Sequence, residues 1–179
     1  MRKNNKNIFI AGFFVLVFSF NGCLLDAFDT LTQELPYTYN LSISGDATTL
    51  ESTATVNLDN NDFYDDNQGK INKIELVKLA YKTKEVNPEN LQGNISLTIK
   101  QSNGTVIFSK SIPGNQPSLY TNNPYELSLT QQEIQLANTY LSNLSNKQLI
   151  ITAMVSGLTE GPKSLEAEIF IVFEMDYDL

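Results

Sequence analysis

The chain has 179 residues with a formal net charge of −8, one cysteine, and neither histidine nor tryptophan. The absence of histidine removes the side chain most often used for acid–base catalysis near neutral pH, and with it the serine–histidine and cysteine–histidine nucleophile pairs. A single cysteine excludes an internal disulfide, and an acidic surface repels phosphate backbones, so we also exclude nucleic acid as a partner.

The N-terminus has three parts in order. Arg2, Lys3 and Lys6 form a short basic segment, and residues 8–20 are a run of 13 residues that is apolar apart from one serine. This run has the length of the apolar region of a secretory signal, whereas a membrane-spanning helix needs about 20 residues. The pattern therefore predicts export of the rest of the chain.

The end of this run carries a further motif. Phe20-Asn21-Gly22-Cys23 resembles the lipobox of bacterial lipoproteins, in which a small residue precedes a lipid-carrying cysteine. Gly22 and Cys23 match the motif, whereas Phe20 replaces the usual leucine and Asn21 the usual small residue. The resemblance covers residues 1–23 and implies cleavage before Cys23, a diacylglyceryl thioether on its sulfur, and a fatty acid such as palmitate on the new N-terminus.

Two alternatives remain at this point, an ordinary secretory signal followed by an unmodified cysteine and an uncleaved N-terminal anchor. The lipobox interpretation divides the chain into a signal peptide (1–22), a lipidated N-terminus and tether (23–35) and one domain (36–179). The leader carries three basic residues and no acids, so the exported part has nine lysines against 20 acids and a net charge of −11. We expect it in the bacterial cell envelope, held by lipid on the outer membrane.

The first half of the domain reads as strands separated by polar turns. Residues 37–44 alternate apolar and polar side chains before Gly45, and residues 48–58 form a weaker second strand. Residues 59–69 form a polar acidic loop. Residues 70–84 fit a strand with a bulge near Val77-Lys78, with a helix as the competing prediction.

The second half contains the clearest local signals. Asn103-Gly104 lies between the alternating runs 94–101 and 106–109, a pattern typical of a tight β-hairpin. A loop at 112–124 and a short strand at 125–129 follow. Thr130 to Glu133 then forms a capping box, which predicts a helix over about 130–143.

Two more strands, 147–156 and 166–176, complete the domain, and residues 169–173 are apolar on both faces, as in a central strand. Short strands with turn signals and one connecting helix predict an all-β fold, a Greek-key or immunoglobulin-like β-sandwich.

The acidic loop is the first candidate site. Asp59, Asp62, Asp65 and Asp66 place oxygen ligands close together in the sequence, as a Ca²⁺ ion requires. The spacing departs from the EF-hand loop, because Tyr64 occupies the position where that loop needs glycine. The loop is therefore either a calcium site or a solvated strand connection.

The loop 115–125 is the second candidate. Tyr120, Asn122 and Tyr125 combine aromatic rings with an amide, a chemistry that can stack on and hydrogen-bond a sugar. Tyrosines also serve simply to pack a loop onto the end of a sandwich.

Two functions follow from these patterns. The first is a lipid-anchored, non-catalytic envelope protein with a structural, adhesive or accessory role that works through contacts with other envelope proteins, without a cofactor. The second is a binding module for Ca²⁺ or a glycan that uses the 59–69 or the 115–125 loop.

Overall fold

The structure, a computed structural model, describes residues 30–178. Its strands are β1 (Thr30–Gly45), β2 (Thr49–Asn57), β3 (Ile71–Asn87), β4 (Asn94–Gln101), β5 (Val106–Ile112), β6 (Tyr125–Glu126), β7 (Gln148–Ser156) and β8 (Lys163–Asp178). The helices are α1 (Asp62–Asn67) and α2 (Gln131–Leu141), with short 3₁₀ turns at Leu58–Asn60, Gln68–Lys70 and Pro117–Tyr120.

The strands form two antiparallel four-stranded sheets that pack face to face. The first sheet has the order β1-β8-β3-β6 and the second the order β2-β7-β4-β5. The β4–β5 hairpin joins neighbours in one sheet, whereas every other connection between consecutive strands crosses to the opposite sheet. This order is that of a jelly roll, an eight-stranded sandwich built from two Greek keys. The prediction of an all-β Greek-key sandwich is confirmed.

The core lies between the sheets, and β8 shows how the sequence defines it. Ile169, Ile171 and Phe173 are fully buried, while the intervening Phe170 and Val172 are half-buried on the outer face. This alternation follows from the two-residue period of a strand. Since β8 pairs with β1 on one side and β3 on the other, the prediction of a central strand is confirmed.

Strand β3 is irregular in the way its spacing predicts. Its register with β8 shifts between Leu76 and Lys78, so Val77 is the extra residue of a bulge. Two further shifts occur, between Ile71 and Lys73 and between Thr83 and Glu85. The competing helix prediction for this segment is wrong.

The hairpin and the capping box are also confirmed. Gly104 has a φ of +88°, and its N–H donates to the carbonyl of Gln101 at 2.9 Å. At the start of α2 the Glu133 N–H donates to the Thr130 hydroxyl at 3.3 Å, and the Thr130 N–H donates to the Glu133 carboxylate at 2.7 Å. Both elements are specified by local sequence.

The fold begins earlier than predicted. Strand β1 starts at Thr30, and its residues 30–35 pair with β8; Leu35 is buried opposite Phe173. The assignment of residues 30–35 to a tether is therefore wrong. Polar Gln33, opposite buried Met175, interrupts the apolar alternation and conceals the strand in the sequence. Residues 24–29 and Cys23 lie outside the described residues, as does the leader.

The acidic segment is a helical connection and not an irregular loop. Asn61 caps α1, because its side-chain oxygen accepts from the Tyr64 N–H at 3.2 Å. The Tyr64 ring is buried in the core with 1% of its surface exposed. Tyr64, together with Phe63, which packs edge-on to Tyr177, fixes a segment whose other side chains are mostly polar.

Candidate functional site

The chain order places the connections at two opposite ends of the sandwich. The N-terminal end holds the start of β1, the end of β8, α1, the turn 102–105 and the connection 142–147. The far end holds the connections 88–93, 113–124 and 157–162. The two predicted sites therefore lie at opposite ends.

At the N-terminal end, the Asp59 carboxylate already has hydrogen-bonding partners within the domain. Its carboxylate accepts from Lys147 Nζ at 2.9 Å and from Gln68 Nε2 at 3.2 Å. The hydrogen bond that the Lys147 ammonium donates to Asp59 raises the pKa of Lys147 and outweighs the cost of its partial burial. Gln68 also donates to Asp65 at 2.6 Å. Internal partners thus take up two of the four predicted calcium ligands.

The remaining acids of this segment, Asp62 and Asp66, are exposed on α1. A helix directs its side chains outward, whereas a calcium loop wraps them around a common centre. Within residues 30–178, no three acidic or cysteine side chains come close enough to hold a metal ion. The structure does not bring the four predicted aspartates together as a ligand set.

At the far end, the predicted tyrosines pack the loop onto the sandwich. The Tyr120 hydroxyl donates to the Pro113 carbonyl, and the Tyr120 ring lies edge-on to Tyr81 with centroids 6.0 Å apart. The ring centroids of Tyr125 and Tyr120 are 5.6 Å apart, whereas the Asn122 side chain is exposed. The structure brings the two tyrosines together but leaves Asn122 apart from them.

A buried threonine fastens this loop. The Thr83 hydroxyl donates to the Pro117 carbonyl at 2.7 Å and lies 3.0 Å from the Tyr81 hydroxyl. Burial raises the pKa of Tyr81 to about 12 and outweighs the opposite effect of the hydrogen bond with Thr83. The cluster is therefore a structural anchor for the loop.

An open groove lies between α2 and the edge of β3. Strand β6 pairs with Ala80 and Tyr81 of β3, and within residues 30–178 the first half of β3 has no strand neighbour on that side. The groove has a volume of about 550 Å³ and is lined by Ile74, Ile134 and several polar side chains. The sequence gives no signal for this groove, because it depends on how short β6 is.

Asn138 on α2 partly replaces the missing strand. Its side-chain oxygen accepts from the Leu76 N–H at 2.9 Å, and its side-chain nitrogen donates to Glu75 at 3.2 Å. An unpaired strand edge is a template for association, and proteins often cover it with a helix. Helix α2 thus covers the unpaired edge of β3 and protects it from association with other strands.

A smaller polar pocket of about 210 Å³ opens at the N-terminal end, between Asp59, Ser102 and the segment 145–148. The Tyr140 hydroxyl beside it accepts from the Ser102 N–H at 3.2 Å and donates to the Gln148 carbonyl at 2.9 Å. These bonds join the turn 102–105, helix α2 and the start of β7, so the polar groups around the pocket largely satisfy one another.

The outer face of the first sheet carries the most unusual charge pattern. In one row across the strands, Glu34 of β1 and Glu75 of β3 both lie opposite Glu174 of β8. In another row, Glu85 lies opposite Glu166. Opposite charges stabilise cross-strand neighbours and like charges destabilise them. We call this surface, formed by the outward side chains of β1, β8 and β3, the acidic face.

An apolar band separates the two acidic rows. Val172 lies opposite Pro36, and Phe170, two residues earlier in β8, lies opposite Thr38. Val77, the extra residue of the β3 bulge, is 45% exposed. The sequence shows the polar alternation of β8 after residue 173, but it does not show the acidic rows, because they depend on the register between strands.

The fold and these surfaces define a class, a jelly-roll β-sandwich whose described residues contain no metal-binding cluster. No family model and no curated protein matches the sequence.

Solved structures with a similar fold include that of Desmodium yellow mottle tymovirus, with 10% identity and a TM-score of 0.39, covering 83% of this chain and 90% of that chain. The decameric BFDV capsid protein has 10% identity and a TM-score of 0.42, covering 82% and 99%. Mud crab tombus-like virus has 10% identity and a TM-score of 0.42, covering 84% and 82%. Likenesses at this level carry no inference about function.

Proposed function

We propose that this chain is a bacterial lipoprotein, cut before Cys23 and lipid-anchored in the cell envelope. Its jelly-roll domain is exported, non-catalytic and acts through contacts with other envelope proteins in a structural, adhesive or accessory role. The observation that carries this proposal is Gly22-Cys23 directly after a basic segment and a 13-residue apolar run.

The chemistry of the cysteine supports the anchor. Cys23 is the sole cysteine of the chain, so it has no disulfide partner within it. Each buried CH₂ group of an acyl chain contributes about 0.8 kcal/mol, and stable attachment takes two chains or more. A diacylglyceryl group on Cys23 meets that requirement. Within residues 30–178, no helix is long and apolar enough to cross a membrane.

The position of β1 gives the proposal a geometry. Strand β1 begins seven residues after Cys23, and seven residues reach at most about 25 Å. The N-terminal end of the sandwich would therefore stay near the membrane. Because β1 has 16 residues, the far-end loops would lie up to about 50 Å further out, where they can meet other proteins.

Metabolic labelling tests the anchor. The full chain is expressed in a bacterial host with an alkyne-tagged palmitate, beside a Cys23→Ala variant as the matched control. We expect label on the wild-type protein in the membrane fraction and none on the variant. An inhibitor of lipoprotein signal peptidase should cause a form with the leader attached to accumulate. Wild-type protein without label in the soluble fraction would contradict the proposal.

A further inference from the structure

The acidic face carries a local cost that the ion pairs of the described fold offset only in part. Like charges directly opposite each other on neighbouring strands destabilise a sheet by about 0.2–1 kcal/mol per pair. Three such pairs occur here, Glu34 with Glu174, Glu75 with Glu174, and Glu85 with Glu166. Sequences that break a local rule without an internal gain do so most often at functional sites.

The lysines of the same sheet form direct ion pairs with only part of this charge, although Lys78 also attracts Glu34 and Lys73 also attracts Glu174 at longer range. Lys73 pairs with Glu75 at 2.9 Å, and Lys78 pairs with Glu126 at 2.8 Å. Lys82 and Lys84 both approach Glu168, at 3.8 and 3.4 Å. None of the ion pairs within residues 30–178 includes Glu34, Glu85, Glu166 or Glu174.

The apolar band gives the face a contact centre. Along the outer face of β8, Glu166 and Glu174 are about 27 Å apart at the rise of a β-strand. Between them lie Glu168, which is paired with Lys82 and Lys84, and the apolar Phe170 and Val172. Val77 adds an exposed branched side chain from the neighbouring strand. An apolar centre with a charged rim is the usual anatomy of a protein interface.

The negative charge of this face determines which kind of partner can bind it. A second copy of the chain, an anionic membrane surface and a nucleic acid all bring negative charge and would add to the repulsion. A surface rich in lysine and arginine would neutralise both rows of carboxylates and cover the apolar band between them. Complementary charge also steers such a partner into position during encounter.

We propose that the acidic face docks a basic, lysine- and arginine-rich protein surface. This inference rests on the protein-contact part of the proposed function and is independent of the lipid on Cys23. It names one surface of the domain and one partner chemistry.

The test uses the full-length chain in detergent and a fluorescein-labelled 12-residue peptide that alternates lysine or arginine with valine. A peptide that alternates glutamate with valine is the negative probe. Fluorescence anisotropy measures affinity, and NMR shift mapping identifies the contacted residues. We expect the basic peptide to bind, to shift Phe170 and Val172, and to bind more weakly as salt rises.

Two variants with the same change of net charge separate the face from general acidity. The face variant combines Glu34→Gln, Glu85→Gln, Glu166→Gln and Glu174→Gln. The control variant combines Glu51→Gln, Asp62→Asn, Asp66→Asn and Glu89→Gln, all exposed positions off this face. We expect the face variant to lose at least tenfold in affinity and the control variant to stay within twofold of wild type.

Several results would overturn the inference. The first is an equal loss of peptide affinity in both variants, and the second is NMR shifts confined to another surface. The third is self-association of the chain through β8. The fourth is Ca²⁺ shifting the NMR signals of the acidic face while the basic peptide does not bind. The Cys23→Ala chain should bind the peptide as the wild type does. Loss of lipid labelling with retained peptide binding would therefore remove the anchor and leave the docking face.

Discussion

The contact of Asn138 on α2 with the edge of β3 gives the most quantitative prediction. Asn138→Ala removes the acceptor for the Leu76 N–H and the donor to Glu75, at 2.9 and 3.2 Å. Each of these two part-buried hydrogen bonds contributes about 0.5–1.5 kcal/mol net, or about 1–3 kcal/mol together. The higher helix propensity of alanine returns about 0.6 kcal/mol. We expect a loss of about 1–2 kcal/mol in unfolding free energy.

That loss corresponds to a fall in melting temperature of about 2–8 °C for a domain of this size. Urea denaturation gives the free energy, and hydrogen exchange measures protection of the Leu76 amide. The matched control is Gln135→Ala, an exposed position one turn earlier on α2, which we expect to change stability by less than about 0.5 kcal/mol. An Asn138→Ala protein with wild-type stability and undiminished Leu76 protection would refute the reasoning.

Two further predictions concern the candidate sites. The pKa of Tyr81, about 12 in the folded protein against an ordinary value of 10.0, means that the neutral phenol is favoured by folding. Its contribution is present below pH 10 and is lost as the pH rises toward 12. Tyr81→Phe should therefore show a shallower loss of stability over pH 10–12 than the wild type, and equal slopes would contradict this assignment. Millimolar Ca²⁺ should change the melting temperature by no more than about 1 °C, because Asp59 is paired with Lys147 and only a ligand that binds the native state stabilises it. A larger rise in melting temperature would restore the calcium hypothesis.

Elements with local signals could be predicted from the sequence. The β4–β5 hairpin follows from Asn103-Gly104, since glycine adopts positive φ without strain. Helix α2 follows from the reciprocal bonds of Thr130 and Glu133. The core face of β8 follows from the alternation of Ile169, Ile171 and Phe173.

Elements that depend on tertiary contacts could not be predicted in the same way. Helix α1 forms in a polar segment because Tyr64 is buried against the core, and the first residues of β1 form a strand because β8 pairs with them. The acidic face depends on register. A one-residue slip sends every side chain to the other face, and β3 shifts register three times.

The candidate sites show the same limit. The acidic segment and the 115–125 loop stood out by composition, yet composition does not reveal that Lys147 pairs with Asp59 or that Tyr120 packs on Tyr81. These partners lie 88 and 39 residues away in the chain.

Mass spectrometry of the N-terminal peptide of the mature protein, purified from bacterial membranes, tests the lipoprotein proposal most directly. The account predicts a chain that begins at Cys23 and carries the added mass of a diacylglyceryl group on that residue. A chain that retains residues 1–22, or one with an unmodified thiol at Cys23, would contradict it.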